Sequence, residues 1–287
     1  MTVQSQLMRL GLFDARVPRY TSYPTAPHFA GGVGPETFVS WIEAIPEGSE
    51  ISLYLHVPFC RRLCWFCACR TQGTSSDAPV LAYAKVLKAE IALLKRHLPR
   101  GVRLSRLHWG GGTPTLLAPD SMRELADAVF DAVPMAEGAE FSVEIDPNEI
   151  DAARLDALAA AGMTRASIGV QDFDPEIQKT IGREQSYELT KEVADMIRDR
   201  GIGSLNADIL YGLPFQTLDS IEVTIGQVLS LQPDRMALFG YAHVPWVKRH
   251  QAMILETDLP GVVDRHAHAV AAGTQILAAG YEAIGID

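Results

Sequence analysis

Cysteine is absent from this sequence except within ten positions. All four thiols, Cys60, Cys64, Cys67 and Cys69, lie in YLHVPFCRRLCWFCACR, residues 54–70. Thiols this crowded exclude a disulfide framework joining distant parts of a fold; in a reducing compartment they are more often metal ligands or redox groups. Basic charge is also scarce. With 25 Lys and Arg against 35 Asp and Glu, the net charge is −10, which lacks the footprint that phosphate backbones and anionic lipid surfaces demand. Neither nucleic acid nor a membrane is expected as a partner. No apolar run reaches the roughly 20 residues of a membrane span. The most apolar late stretch, AHAVAAGTQILAAGY from Ala267 to Tyr281, carries Thr274 and Gln275 and is expected to form a buried helix. The start, MTVQSQLMRLGLFDARVPRY, has no basic leader followed by an apolar core and a cleavage site, so a cytoplasmic location is expected. Low-complexity tracts and obvious repeats are missing too.

What is present is a regular alternation. At 287 residues and 47% hydrophobic, the chain can bury a sizeable core. From Ile51 onward, strand-like runs (ISLYLHV, RLHW, FSVEI, RASIGV, SLNADILYG, RMALFG) alternate with helical stretches at residues 80–96, 119–132, 152–160, 187–199 and 218–231. Strand followed by helix, repeated, predicts an α/β fold with a parallel sheet and right-handed crossovers. His56, Trp109, Glu144, Gln171, Asp208 and Tyr241 each fall at or just beyond a strand's C-terminal end. Polar groups spread over several strand ends favour a barrel, complete or partial, over an open sheet with a single switch point. Residues 1–48, punctuated by Pro and Gly with one short helix, read as a wrapping or lid segment, and 49–287 as the barrel core.

The cysteine intervals are four, three and two. Pro58 biases Val57 to extended geometry, so the strand runs to the proline and the thiols follow in a loop. Three thiolates at such spacing can hold one face of an iron–sulfur cube and leave its fourth iron free, with Cys69 surplus. Structural zinc and a dithiol redox site are the alternatives, although zinc sites usually pair two separated knuckles. GGGTPT, Gly110 to Thr115, fails both as a Walker A and as a G-x-G-x-x-G. Its glycines could bring backbone carbonyls close to an amino group, or could serve a tight turn only. Glu144 and Asp208 are acids among apolar strand residues: core ion pairs, or contacts to cofactor hydroxyl and amino groups. Arg183 could clamp a carboxylate or stand solvated. His28, His108, His243, His266 and His268 show no metal-ligand spacing and are expected to be structural or at the surface.

CRRLCWFC is C-x3-C-x2-C, the spacing of the radical S-adenosylmethionine (SAM) superfamily. With PRYTSYPTA, LHWGGGTPT, SVEIDPNE, GVQDF, GREQ, NADILYGLP and YAHVPW in the same order, the chain resembles the oxygen-independent coproporphyrinogen III oxidases from about Pro18 to Asp287. The resemblance implies a partial (β/α)6 TIM-like barrel without the C-terminal helical domain into which those enzymes continue past the position of Asp287. It also implies a [4Fe-4S] cluster on Cys60, Cys64 and Cys67, and two SAM molecules. Tyr54, Gly111 and Glu144 would line the first SAM; Phe66, Gly112, Thr113, Gln171, Arg183, Asp208 and Ala242 match positions that would contact the second. The implied partners are coproporphyrinogen III, a low-potential electron donor and a separate electron acceptor, with a monomeric chain that holds a cluster and turns over poorly. A haem chaperone on the same scaffold is the rival implication. CAC, GREQ and YAHVPW favour the oxidase.

Overall fold

The computed structural model describes residues 3–13, 25 and 28–285. Helices α1 (Val3–Arg9) and α2 (Pro35–Glu43) precede a six-stranded sheet built from β1 (Glu50–Val57), β4 (Arg103–Gly111), β5 (Met135–Ile145), β6 (Arg165–Gln171), β7 (Ser204–Tyr211) and β8 (Arg235–Gly240). Two short strands, β2 (Phe59–Cys60) and β3 (Gln72–Gly73), pair with each other between β1 and β4. All strands of the large sheet run parallel in the order β1-β4-β5-β6-β7-β8, so chain order and spatial order coincide. Such a sheet has no switch point. It is the wall of a partial barrel whose edges, β1 and β8, stay unpaired with each other, as the strand-end pattern led one to expect.

Helices α3 (Ala78–His97), α4 (Pro119–Ala132), α5 (Ala152–Ala160), α6 (Pro175–Thr180), α7 (Tyr187–Asp199) and α8 (Leu218–Ser230) provide the crossovers. Their starts are legible locally. Asp151 and Ser186 accept hydrogen bonds from the third residue of α5 and α7, and Thr217 with Ser220 forms a capping box on α8. Strand residues of one parity (Leu55, Val57, Leu107, Trp109, Phe141, Val143, Ile168) pack against Val80, Leu87, Met122, Leu125 and Leu158 of the helices in the main core. The other parity is left for the barrel interior. The small β2/β3 pair, α1 and α6 have no periodic signature, and sequence reading misses them.

The last helix, α9 (Val262–Ala278), corrects an expectation. It starts before Ala267 and buries only His268 and Ala272, while Val270 and Leu277 are about half exposed. The reason is position. α9 packs on α8, β7 and β8 at the open edge, where one face alone has neighbours. Of the described residues, no helix is long and apolar enough to cross a membrane. PRYTSYPTA falls, apart from buried Thr25, outside the described residues.

Candidate active site

The cysteine loop follows β1 and lies over the C-terminal mouth of the barrel. It is tied down from several sides. Gln72 and Thr74 donate backbone hydrogen bonds to Pro58 and Cys60, and the Trp65 amide donates to Ile181 O at 2.8 Å. The Trp65 ring sits where a side chain on Gly182 would be, 3.0 Å from the position of a Cβ. At the other wall, Gly112 packs so closely that a Cβ there would lie 2.7 Å from Phe59 O and 2.8 Å from Cys60 Sγ. Gly111 and Gly112 are therefore glycine because the chain leaving β4 passes the end of β1 and the cysteine loop too closely for a Cβ, whether or not a ligand is present.

A cavity of about 460 Å³ opens between loop and strand ends, within the usual range of ligand sites. Cys60, Cys64, Cys67 and Cys69 all line it. Among the described residues no three Cys, His, Asp or Glu side chains converge as a single ion would require. Burial pushes the Cys60 thiol up to about 11 and raises Cys64 as well. Cys67 is instead lowered to about 6, first by a hydrogen bond from Cys69.

Opposite the loop stand the polar strand ends. Glu144 accepts from Gly111 N at 2.9 Å and from His108 Nε2 at 3.2 Å. Asp208 accepts from Ser167 Oγ at 3.1 Å and Asn206 Nδ2 at 2.8 Å, and makes no ion pair among the described residues. Burial raises its carboxyl above the ordinary range, those two donors oppose the rise, and Glu144 adds to it. Neither acid forms the core pair with Lys or Arg that was the plainer alternative. Arg183 is buried rather than solvated: Nη1 reaches Asp146 Oδ2 at 3.1 Å and Cys64 Sγ at 3.6 Å, and Nη2 donates to Gly169 O and Gln185 Oε1. Gln171 adopts φ 69 at an irregularity in the β6–β7 pairing, turning its side chain towards the cavity at the cost of a left-handed backbone.

The cavity gathers most of the residues singled out from sequence. Phe66, Gly111, Gly112, Thr113, Glu144 and Gln171 line it, as do Arg183, Asp208 and Ala242. Tyr54 does not. It is half exposed, stacked on His108 at 5.5 Å, with its hydroxyl donating to His56 Nδ1 at 2.9 Å. His56 in turn donates from Nε2 to Arg70 O at 2.8 Å, which sets its tautomer. Trp109, placed at the active face by its strand-end position, is fully buried against Phe141 on the helix side. Its neighbour His108, read as structural or surface, contacts Glu144 instead. Strand parity in RLHWG carried that signal. Asp146, Ser167 and Gln185 were also missed; an acid directly after a strand and before a proline, as in EIDP, was the available sign of Asp146.

Residues 54–228 match the model of the radical SAM superfamily. This chain belongs to that superfamily. It is 68% identical over all 287 residues to the oxygen-independent coproporphyrinogen III oxidase of Paracoccus denitrificans, of which it covers 64%. To the protein of that name from Bradyrhizobium diazoefficiens it is 46% identical, covering 96% of this chain and 61% of that one. Among solved structures, the coproporphyrinogen III oxidase of Escherichia coli, a radical SAM enzyme, superposes with a TM-score of 0.89 at 36% identity over 97% of this chain and 63% of its own. The chain thus spans a little under two thirds of these relatives. A likeness to Streptococcus suis SuiB bound to S-adenosylmethionine, TM-score 0.52 at 12% identity over 97% of this chain and 59% of that one, concerns the fold alone.

Radical SAM membership implies a [4Fe-4S] cluster and SAM. The donor set fits such a cluster. Soft thiols line one cavity, and N–H donors face two of the sulfurs, Arg183 Nη1 at Cys64 and the Cys69 amide 3.4 Å from Cys67 Sγ. Donors of this kind stabilise cluster thiolates and tune their potential.

Proposed function

We propose that this radical SAM chain is the barrel core of an oxygen-independent coproporphyrinogen III oxidase, converting two propionate side chains of coproporphyrinogen III to vinyl groups and giving protoporphyrinogen IX. The reading is carried by one observation: the cysteines of C-x3-C-x2-C and the polar strand ends of β5, β6 and β7 open into the same cavity. Cys60, Cys64 and Cys67 would hold three irons and leave the fourth open to SAM. Glu144, Gly111 and Tyr54 would line that SAM; Phe66, Gly112, Thr113, Gln171, Arg183, Asp208 and Ala242 would contact a second. When bound, cluster and SAM supply an electron and a carbon radical able to remove hydrogen from the β-carbon of a propionate. The substrate loses one hydrogen atom, one electron to an acceptor and CO2, and a vinyl group remains.

The chain's own residues orient and exclude. The carboxylates of Glu144 and Asp208 face the cavity with acceptor capacity left over, suited to hydroxyl and ammonium groups. Arg183, braced by Asp146 and Gln185, offers a fixed cation. Phe66, Leu210 and Phe239 add apolar lining that keeps water from a radical. Residues 1–48 are proposed as a wrap. Phe13 meets His266 of α9 at 5.4 Å while Glu43 at the end of α2 pairs with His97 of α3 at 2.8 Å, so the segment touches both flanks of the open barrel.

The test is anaerobic. The purified, reconstituted chain should hold iron and sulfide in equal amounts, show an electron paramagnetic resonance spectrum that changes with SAM, and release CO2 only slowly from coproporphyrinogen III under reduction; Cys64→Ala should lose all three. Zinc without sulfide, or stable haem binding without decarboxylation, would replace this reading with the zinc scaffold or the haem chaperone.

A further inference from the structure

Phe66, Cys67 and Cys69 lie in a loop with few backbone partners of its own, yet their carbonyls are all satisfied. The donors come from one tight turn 179 to 185 residues later: Lys248 Nζ to Cys69 O at 2.7 Å, His250 Nε2 to Cys67 O at 2.6 Å, and Gln251 Nε2 to Phe66 O at 2.8 Å. Gln251 is fully buried. Its amide also donates to Ala242 O at 3.1 Å and accepts from Val244 N at 2.6 Å, so both of its N–H groups and its oxygen are engaged. A buried amide satisfied on every side is a fixed spacer. This one bridges the cysteine loop and the chain leaving β8, both of which line the cavity.

We infer that Lys248, His250 and Gln251 form a clasp that holds the cysteine loop in its ligating conformation and sets the gap between Phe66 and Ala242. They are positioning residues. None of them lines the cavity, so they act through the loop backbone. The inference rests on reading that loop as the cluster site, and it explains why a turn at the open edge of the barrel carries three donors aimed at one target. Of the three, Gln251 is the keystone, because its loss would free Phe66 O and Ala242 O together.

Gln251→Leu removes every clasp bond of that side chain at similar volume, and Lys248→Met removes one donor while keeping the stem. In the metal-free chain, amide hydrogen exchange at Trp65 and Cys67 is expected to accelerate at least about 10-fold in Gln251→Leu and less in Lys248→Met, with the β5 and β6 amides unchanged. In the reconstituted chain, iron loss to a chelator should quicken about 10–100-fold, the scale of lost outer-shell support, and the spectrum of the reduced cluster should broaden. Should Gln251→Leu fail to fold, Lys248→Met alone decides. Exchange and iron loss matching the unsubstituted chain in the folded variants would overturn the clasp. If the unsubstituted chain takes up no cluster, the functional reading falls, while the exchange rates still decide whether the clasp restrains the loop.

Discussion

Asp208 sits in the cavity wall with two neutral donors and, among the described residues, no ion pair, so the cost of burying its charge is only partly offset. Because burial raises its folded-state pKa, its contribution to stability is full below the ordinary value of about 3.9 and is lost as pH rises through the folded value. Asp208→Asn can keep both contacts, since Ser167 Oγ can accept where it formerly donated. The metal-free variant should therefore lose less melting temperature than the unsubstituted chain between pH 4 and 7; parallel profiles would contradict this. Residue identity at such positions was visible in the sequence, but orientation was only half visible. His108 and Trp109 are adjacent, and strand alternation alone sends one to Glu144 and the other to the core. Arg183 shows the limit of local reading: a charged segment suggests solvent, whereas Asp146, just past β5, and Gly169 in β6 hold the side chain in the interior.

At the scale of elements, the turn leaving β4 is the most constrained. Gly111 has φ 121, which L side chains rarely adopt, and a Cβ on Gly112 would meet the carbonyl of Phe59 and the sulfur of Cys60. Gly112→Ala should cost about 1–3 kcal/mol, as overpacking does, lowering the melting temperature by roughly 2–4 °C per kcal/mol. It should also reduce iron uptake by displacing Cys60. An unchanged melting temperature with full iron content would show that the turn can yield. Helix limits at 119–132, 152–160 and 187–199 were legible because proline and side-chain caps mark the starts and periodicity marks the bodies. β2 and β3 were not, since two-residue strands exist only through each other. α9 was misjudged because an Ala-rich stretch reads the same whether one face or both are covered.

For the whole molecule, the open parallel barrel places the loop after β1 and the ends of five further strands around a single mouth. A ligand held by cluster and strand ends together stabilises the folded chain by mass action, about 2.7 kcal/mol at a concentration 100 times its Kd. SAM should thus raise the melting temperature of the reconstituted chain by roughly 5–10 °C and that of Cys64→Ala far less; equal shifts would mean that SAM binds without the cluster. The alternation of strand and helix, the cysteine spacing and the polar residues at several strand ends are local patterns, so the α/β class, the parallel sheet and the loop that bears the thiols were already written in the sequence. Tertiary structure alone decided that Lys248, His250 and Gln251 reach back to that loop, that Asp146 meets Arg183, and that Tyr54 stands outside the cavity. Those contacts join residues tens to nearly two hundred positions apart. No local preference encodes such pairs; they exist only once the sheet has brought its strand ends to one face.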